Sequence, residues 1–171
     1  NGGDNRLGGD DIDVELFNIL SDKIDEYCKE ELKQKTNFKE QCSKDYREKL
    51  ILELEGFKKL STNSTYSIRV DTKLERGSNV VIQEMFNLGI EDFSSAIEKI
   101  WLRSLEKVRE CINSSEEKHI DKVVLVGGST KIQQIRDWVE REFKGTEIYY
   151  GLNPDESIAL GASIQTHITK G

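Results

Sequence analysis

Four apolar residues, Val123, Val124, Leu125 and Val126, run directly into Gly127-Gly128-Ser129-Thr130, and a strongly amphipathic stretch follows. That order predicts a buried strand, a tight glycine turn and the first turn of a helix. Such a turn sets unpaired backbone N–H groups and the positive end of a helix where a phosphate or ribose oxygen can reach them. A side chain at either glycine would hold a ligand away from the backbone. The pattern is therefore suited to a nucleotide, although a purely structural strand-to-helix turn would use the same glycines.

The rest of the chain narrows the field mainly by exclusion. Its 171 residues suffice for one domain, or for one compact half of a larger one. A hydrophobic share of 36% with 33% charged residues describes a soluble globular protein. No apolar run approaches the ~20 residues of a membrane span, and the N-terminus lacks the charged-then-apolar pattern of a secretion signal. The net charge of −7 argues against a general nucleic-acid binder, which must neutralise phosphates. Lysines from Lys33 to Lys49 alternate with Glu40, Asp45 and Glu48, as a solvated helix face would. Cys28, Cys42 and Cys111 are widely spaced and form no CxxC pair, which disfavours zinc or a disulfide framework and suits a reducing compartment. His119 and His167 are too few for a histidine metal centre or a catalytic triad, so no metal ligands are assigned.

Period locates the elements. Residues 1–13 are rich in glycine and aspartate, and a helix begins near Ile12; Phe17, Leu20, Ile24, Tyr27 and Cys28 then share one face. A second helix is expected over residues 39–60. From Ser64 the period shortens to two, and residues 66–74 and 80–86 flank Arg76-Gly77-Ser78-Asn79 as a β-hairpin. A long helix over 91–112 carries Phe93, Ile97, Ile100, Trp101, Leu105, Val108 and Ile112 as a continuous apolar stripe, and both Trp101 and Trp138 are expected in the core. Strand, helix, strand and helix complete the chain. The last helix opens on Asn153-Pro154-Asp155-Glu156, with a cap, a first-turn proline and acids that complement the dipole. Ala159, Gly161, Ala162 and Ser163 are small enough to let that helix approach a neighbour closely. A lone β-α-β-α module supplies too few strands for a covered sheet, so strands preceding Asn1 are expected. Asp10 and Asp11 are adjacent and point different ways, which suits a structural role rather than an acid–base pair.

Taken together, GDNRLGGDDID at residues 3–13, VVLVGGSTKI at 123–132 and NPDESIALGASIQ at 153–165 resemble the 70 kDa heat-shock protein chaperones. They match that family's patterns GDxxLGGxDFD, VLVGGSTRIP and NPDEAVAxGAAxQ, in the same order and at comparable separations. The resemblance implies an α/β chain with a partial actin-like ATPase fold, namely the second lobe of the ATPase domain. An inner β-α-β-α subdomain would be joined to an outer helix-helix-hairpin subdomain. Residues 1–22 would start the inner subdomain, 23–90 form the outer one, and 91–171 supply the long helix and the inner module.

The resemblance also implies a site for ATP or ADP, with Mg²⁺ carried through the nucleotide. Gly127, Gly128, Ser129 and Thr130 would lie against the adenosine and phosphates, Ile132 would give apolar contact, and Asp155 would line the cleft near the base. Lys131 stands where the family has an arginine on the adenine, and lysine lacks the planar guanidinium that stacks. The family's ExAKxxLS, aligned without gaps on Leu60-Ser61, puts Leu54 and Phe57 in place of its glutamate and lysine and leaves Lys58 and Ser61 as contacts. A one-residue slip offers Glu53 or Glu55 with Lys58 instead.

No catalytic residue is assigned, because the family's phosphate-gripping loops are not in this chain, which alone is expected to be inactive as an ATPase. Implied partners are unfolded clients bound through a separate C-terminal domain, a nucleotide-exchange factor and J-domain co-chaperones, with no nucleic acid or membrane. The compartment implied is the cytoplasm or, alternatively, the endoplasmic reticulum. Two other readings stay open: a divergent, weakly hydrolysing co-chaperone or exchange-type member, and an unrelated actin-like sugar kinase.

Overall fold

A computed structural model describes residues 4, 7–60, 65–75, 78–150, 153 and 156–170. Spacings of three and four in the apolar residues become helix faces, beginning with α1 (Gly9–Glu30), which buries Ile12, Leu16, Phe17, Leu20, Ile24 and Cys28. The helix starts ahead of the expected Ile12 because the Asp11 carboxylate accepts the Gly8 N–H at 2.7 Å and closes its first turn. Asp10 and Asp11 also complement the positive helix end.

The single helix expected over 39–60 is two: α2 (Phe38–Gln41) and α3 (Lys44–Leu60). Cys42 is extended between them, at ψ 136. The Ser43 hydroxyl accepts the Tyr46 N–H at 3.3 Å, so a side-chain cap restarts the helix. On the other side, Asp25 of α1 accepts the Phe38 N–H at 2.9 Å and the Thr36 hydroxyl at 2.6 Å, tying α2 to α1.

The hairpin forms as β1 (Tyr66–Lys73) and β2 (Val81–Leu88), antiparallel, with Tyr66 opposite Leu88 and Lys73 opposite Val81. Arg76 and Gly77, on which the turn reading rested, lie outside the described residues. Alternation sends Ile68, Val70, Ile82, Phe86 and Leu88 inward and leaves Arg69, Asp71, Gln83 and Met85 in solvent. Phe57 of α3 stacks on Tyr66 at 5.2 Å between centroids and meets Phe93 edge-on at 5.5 Å. Phe93 belongs to α4 (Ile90–Ser114), whose buried stripe runs through Ala96, Ile97, Ile100 and Leu105. Beyond Leu105 the expected stripe comes to the surface at Val108, and Trp101 and Trp138 are half-buried rather than core.

Two compact units result, one of residues 5–103 and the other of 1–4 with 104–171, so the division falls within α4. In the second, β3 (Lys122–Val124) pairs in parallel with β4 (Glu147–Tyr149), and α5 (Gln133–Glu142) connects them. The strand expected over 123–126 is shorter, although the Leu125 N–H still reaches Tyr149 O at 3.3 Å. It is also not buried: Val124 and Val126 are exposed, since β3 has one partner strand among the described residues. The last helix, α6 (Ser157–Lys170), begins after Pro154 and Asp155, which lie outside the described residues. Its small residues Gly161, Ala162 and Ser163 are exposed, so the close approach expected of them is not made there. Among the described residues the chain is mixed α/β with two small sheets, compatible with a partial actin-like ATPase fold. No described helix is long and apolar enough to cross a membrane.

Candidate functional site

The glycine turn after β3 is a short 3-10 turn over Gly128–Lys131, entered through Gly127 at φ 89, a backbone region that favours glycine. Local bonds hold it. The Thr130 N–H and hydroxyl both donate to Gly127 O, at 3.0 and 2.7 Å. The Ile132 N–H donates to Ser129 O at 3.1 Å, and the Arg136 side chain donates to Thr130 O at 2.7 Å. Arg136 is itself seated over the Tyr150 ring at 5.3 Å, which ties the turn to the end of β4.

A Cβ added at Gly127 would meet nothing within 4 Å, so the space before this backbone is open. The glycine is thus required by its φ rather than by a close neighbour. Gly128 and Lys131 are exposed, while Ser129, Thr130 and Ile132 are half-buried. The structure therefore brings residues 127–132 together on one turn at the C-terminal end of a parallel strand, the end at which α/β sheets bind ligands. A shallow groove lined by Lys118, His119, Asp121, Phe143 and Lys144 lies at the opposite ends of β3 and β4.

A second cluster is built at the start of α1. Leu54 and Phe57, which the gapless alignment set in the ligand positions, are buried at 0% and 5% exposure among the core side chains of residues 5–103. Helical spacing then leaves Glu55 and Lys58 together on the flanking face of α3. The Lys58 ammonium donates to Gly9 O at 3.1 Å and to Asp13 Oδ2 at 2.6 Å. Both side chains are largely removed from water, Lys58 at 16% and Asp13 at 6% exposure. Burial raises the Asp13 pKa above its ordinary value, the Lys58 hydrogen bond and charge pull it back, and Glu55 and Asp10 push it up further. Asp13 Oδ1 is buried and has no hydrogen-bond partner among the described residues.

Asp13 is the member of this cluster that the sequence alone did not single out. Its one visible signal was the final aspartate of LGGDDID, the same segment that supplies Gly9. Asp11, by contrast, serves as the cap of α1, in keeping with the structural role expected of the Asp10-Asp11 pair. Ser61 and Asp155 lie outside the described residues. Among the described residues no group of His, Cys, Asp and Glu could hold a metal ion.

The turn carrying GGSTK and the cluster at LGGDDID are two of the segments that resembled one family, and a family model described as Hsp70 protein matches residues 1–171. The chain belongs to the Hsp70 family. Hsp70 domains in general bind ATP or ADP with magnesium, and the family works with client proteins and co-chaperones. This Hsp70 chain is accordingly an Hsp70-type chaperone ATPase region.

Proposed function

We propose that the chain is the adenine-nucleotide-binding second lobe of an Hsp70 ATPase domain, whose ATP cycle gates the binding of unfolded clients. The observation that carries this reading is the pairing of Lys58 with the Gly9–Asp13 segment. It favours the one-residue slip, in which Glu55 and Lys58 take the positions of the family's glutamate and lysine. Leu54 and Phe57 then become core residues rather than lost ligands, and the case for a divergent, weakly hydrolysing member loses that support.

Each residue has a distinct task in this reading. Gly127 and Gly128 admit the ligand to the backbone, and the Ser129 hydroxyl accepts or donates one hydrogen bond to it. Thr130 locks the turn through Gly127 O, Lys131 offers a cation to the base without planar stacking, and Ile132 supplies an apolar wall. Lys58 offers an ammonium to a ribose or phosphate oxygen, with Asp155 as a further contact, whereas Ser61 keeps a contact only in the gapless alignment. Magnesium, carried by the phosphates, would draw charge from the γ-phosphoryl group. None of these residues is assigned the attack on phosphorus, and the chain alone is expected to be inactive as an ATPase. Clients bound through a separate domain, an exchange factor and J-domain co-chaperones are the partners proposed, in the cytoplasm or the endoplasmic reticulum. The three-way subdivision at residues 22 and 90 belongs to the same proposal.

Calorimetric titration of ADP with Mg²⁺ into the 171-residue chain tests the reading. Weak binding, at or above about 1 μM, with weaker binding of GDP, is expected. Sub-micromolar affinity would refute the idea that the other lobe is needed for tight binding, and no preference for adenine would refute the nucleotide assignment.

A further inference from the structure

An ammonium group carries three donors. Two of those on Lys58 are directed at Gly9 O and Asp13 Oδ2. With two directions fixed, the third N–H has a defined direction, which an exposed lysine with free rotation about its stem would lack. Asp13 sits on the buried face of α1 between Ile12 and Leu16, so its own rotamer is held by the core. The pair is a poor device for stability alone. Ion pairs removed from water gain little over apolar side chains of the same size, and here Asp13 Oδ1 is left without a hydrogen-bond partner among the described residues. What such a pair does supply is orientation.

We infer that Asp13 is a positioning residue: it fixes the Lys58 ammonium beside Gly9 so that its remaining N–H donates to a hydroxyl or phosphate oxygen of the bound ligand. The inference deepens the nucleotide reading above and rests on it. Groups facing the Asp13 carboxyl are Lys58 and Glu55 from α3 and Asp10 from its own helix. Protonation of Asp13 removes the charge-assisted acceptor and frees the lysine, so positioning carries a pH dependence. Because burial raises the Asp13 pKa, release begins above the ordinary aspartate value of 3.8 as pH falls.

The test has a ligand-free arm and a ligand arm, both on the whole chain. In the first, the Lys58 ammonium is observed by ¹⁵N–¹H NMR. A cross-peak protected from solvent exchange is expected in the wild type and is expected to vanish in Asp13→Asn; its persistence in the variant overturns the inference. In the second, ADP with Mg²⁺ is titrated into wild type, Asp13→Asn, Lys58→Met and the double variant. Each single change is expected to weaken ADP about tenfold, with the double variant no weaker than Lys58→Met, as for residues acting as one unit. Additive losses, or an unchanged affinity in Asp13→Asn, overturn the inference.

If Asp13→Asn fails to fold, the wild-type pH profile decides without a variant. The ammonium signal and ADP affinity are expected to fall together at one midpoint, and separate midpoints overturn the inference. A wild type that binds no ADP refutes the nucleotide reading, while the ammonium signal still judges the positioning by itself.

Discussion

The two compact units treat their apolar residues in opposite ways. Within residues 5–103 the stripe of α1, the inward face of the hairpin and Phe57 of α3 close on one another, and Phe17 retains no exposed surface. In residues 104–171 Val139 is the single described side chain beyond Leu105 that reaches core burial, and α6 leaves Ile158 at 72% exposure together with Leu160, Ile164 and Ile168. A hairpin with one face against helices is enough to bury a continuous core. Two parallel strands of three residues are not, because a sheet that short covers neither face. Hydrophobic content alone therefore does not measure how well a unit is held; the removal of that surface from water does.

Matched truncations break this comparison most directly. Phe17 packs 6.2 Å from the Phe38 ring and carries the Arg47 guanidinium 5.1 Å above it. Phe17→Ala is expected to cost about 3–5 kcal/mol, the loss of a buried aromatic plus its cavity. Ile164→Ala, on exposed α6, is expected to stay within about 0.5 kcal/mol of wild type. Urea unfolding followed by residue-resolved hydrogen exchange measures both, and comparable losses in the two variants would contradict the contrast drawn between the units.

The same contrast explains what could be read from residue order. Stripes repeated within one helix, such as that of α1, and alternation within one hairpin are local, so α1, α4, β1 and β2 were legible to within a few residues. The break between α2 and α3 has no glycine or proline. It depends on the Ser43 cap and on Asp25, which reaches the Phe38 N–H from 13 residues away. The Ser43 cap was visible in principle; the Asp25 contact is tertiary. For the candidate site, the turn at residues 127–132 is contiguous and was read entire. Asp13 and Lys58 are 45 residues apart, and periodicity carries no information at that separation. That Phe57 packs inward depends on Tyr66 and Phe93, which the helix itself does not contain.

Cysteine reactivity gives a second, smaller measure of the same difference. Burial pushes the Cys42 thiol up to about 11, and burial also raises Cys28, against a weaker opposing hydrogen bond from Thr36. At pH 8 the thiolate of Cys42 is then on the order of one part in a thousand. Cys111 is exposed on α4. With a thiol-specific chromogenic reagent, exposed Cys111 is expected to react first and Cys42 far more slowly. Cys28, fully buried, should react only through opening of its unit. Equal rates at the three thiols would sink the assignment, and Phe17→Ala should draw the three rates together.

The smallest effect offers the sharpest separation, because it adds stability to one unit only. Gly56 occupies the interior of α3, where glycine costs roughly 0.5–1 kcal/mol relative to alanine through the backbone freedom it surrenders. A Cβ at this position would meet the Tyr66 hydroxyl at 3.7 Å, an ordinary contact. That hydroxyl already donates to Glu53 O at 3.1 Å and need not move. Gly56→Ala is therefore expected to raise exchange protection of α3 and the hairpin about two- to fivefold. The Leu125 amide, bonded to Tyr149 O in the other unit, should exchange at its wild-type rate. A matching gain at Leu125 would mean that the two units open together, and the difference in their packing would then not govern how the chain unfolds.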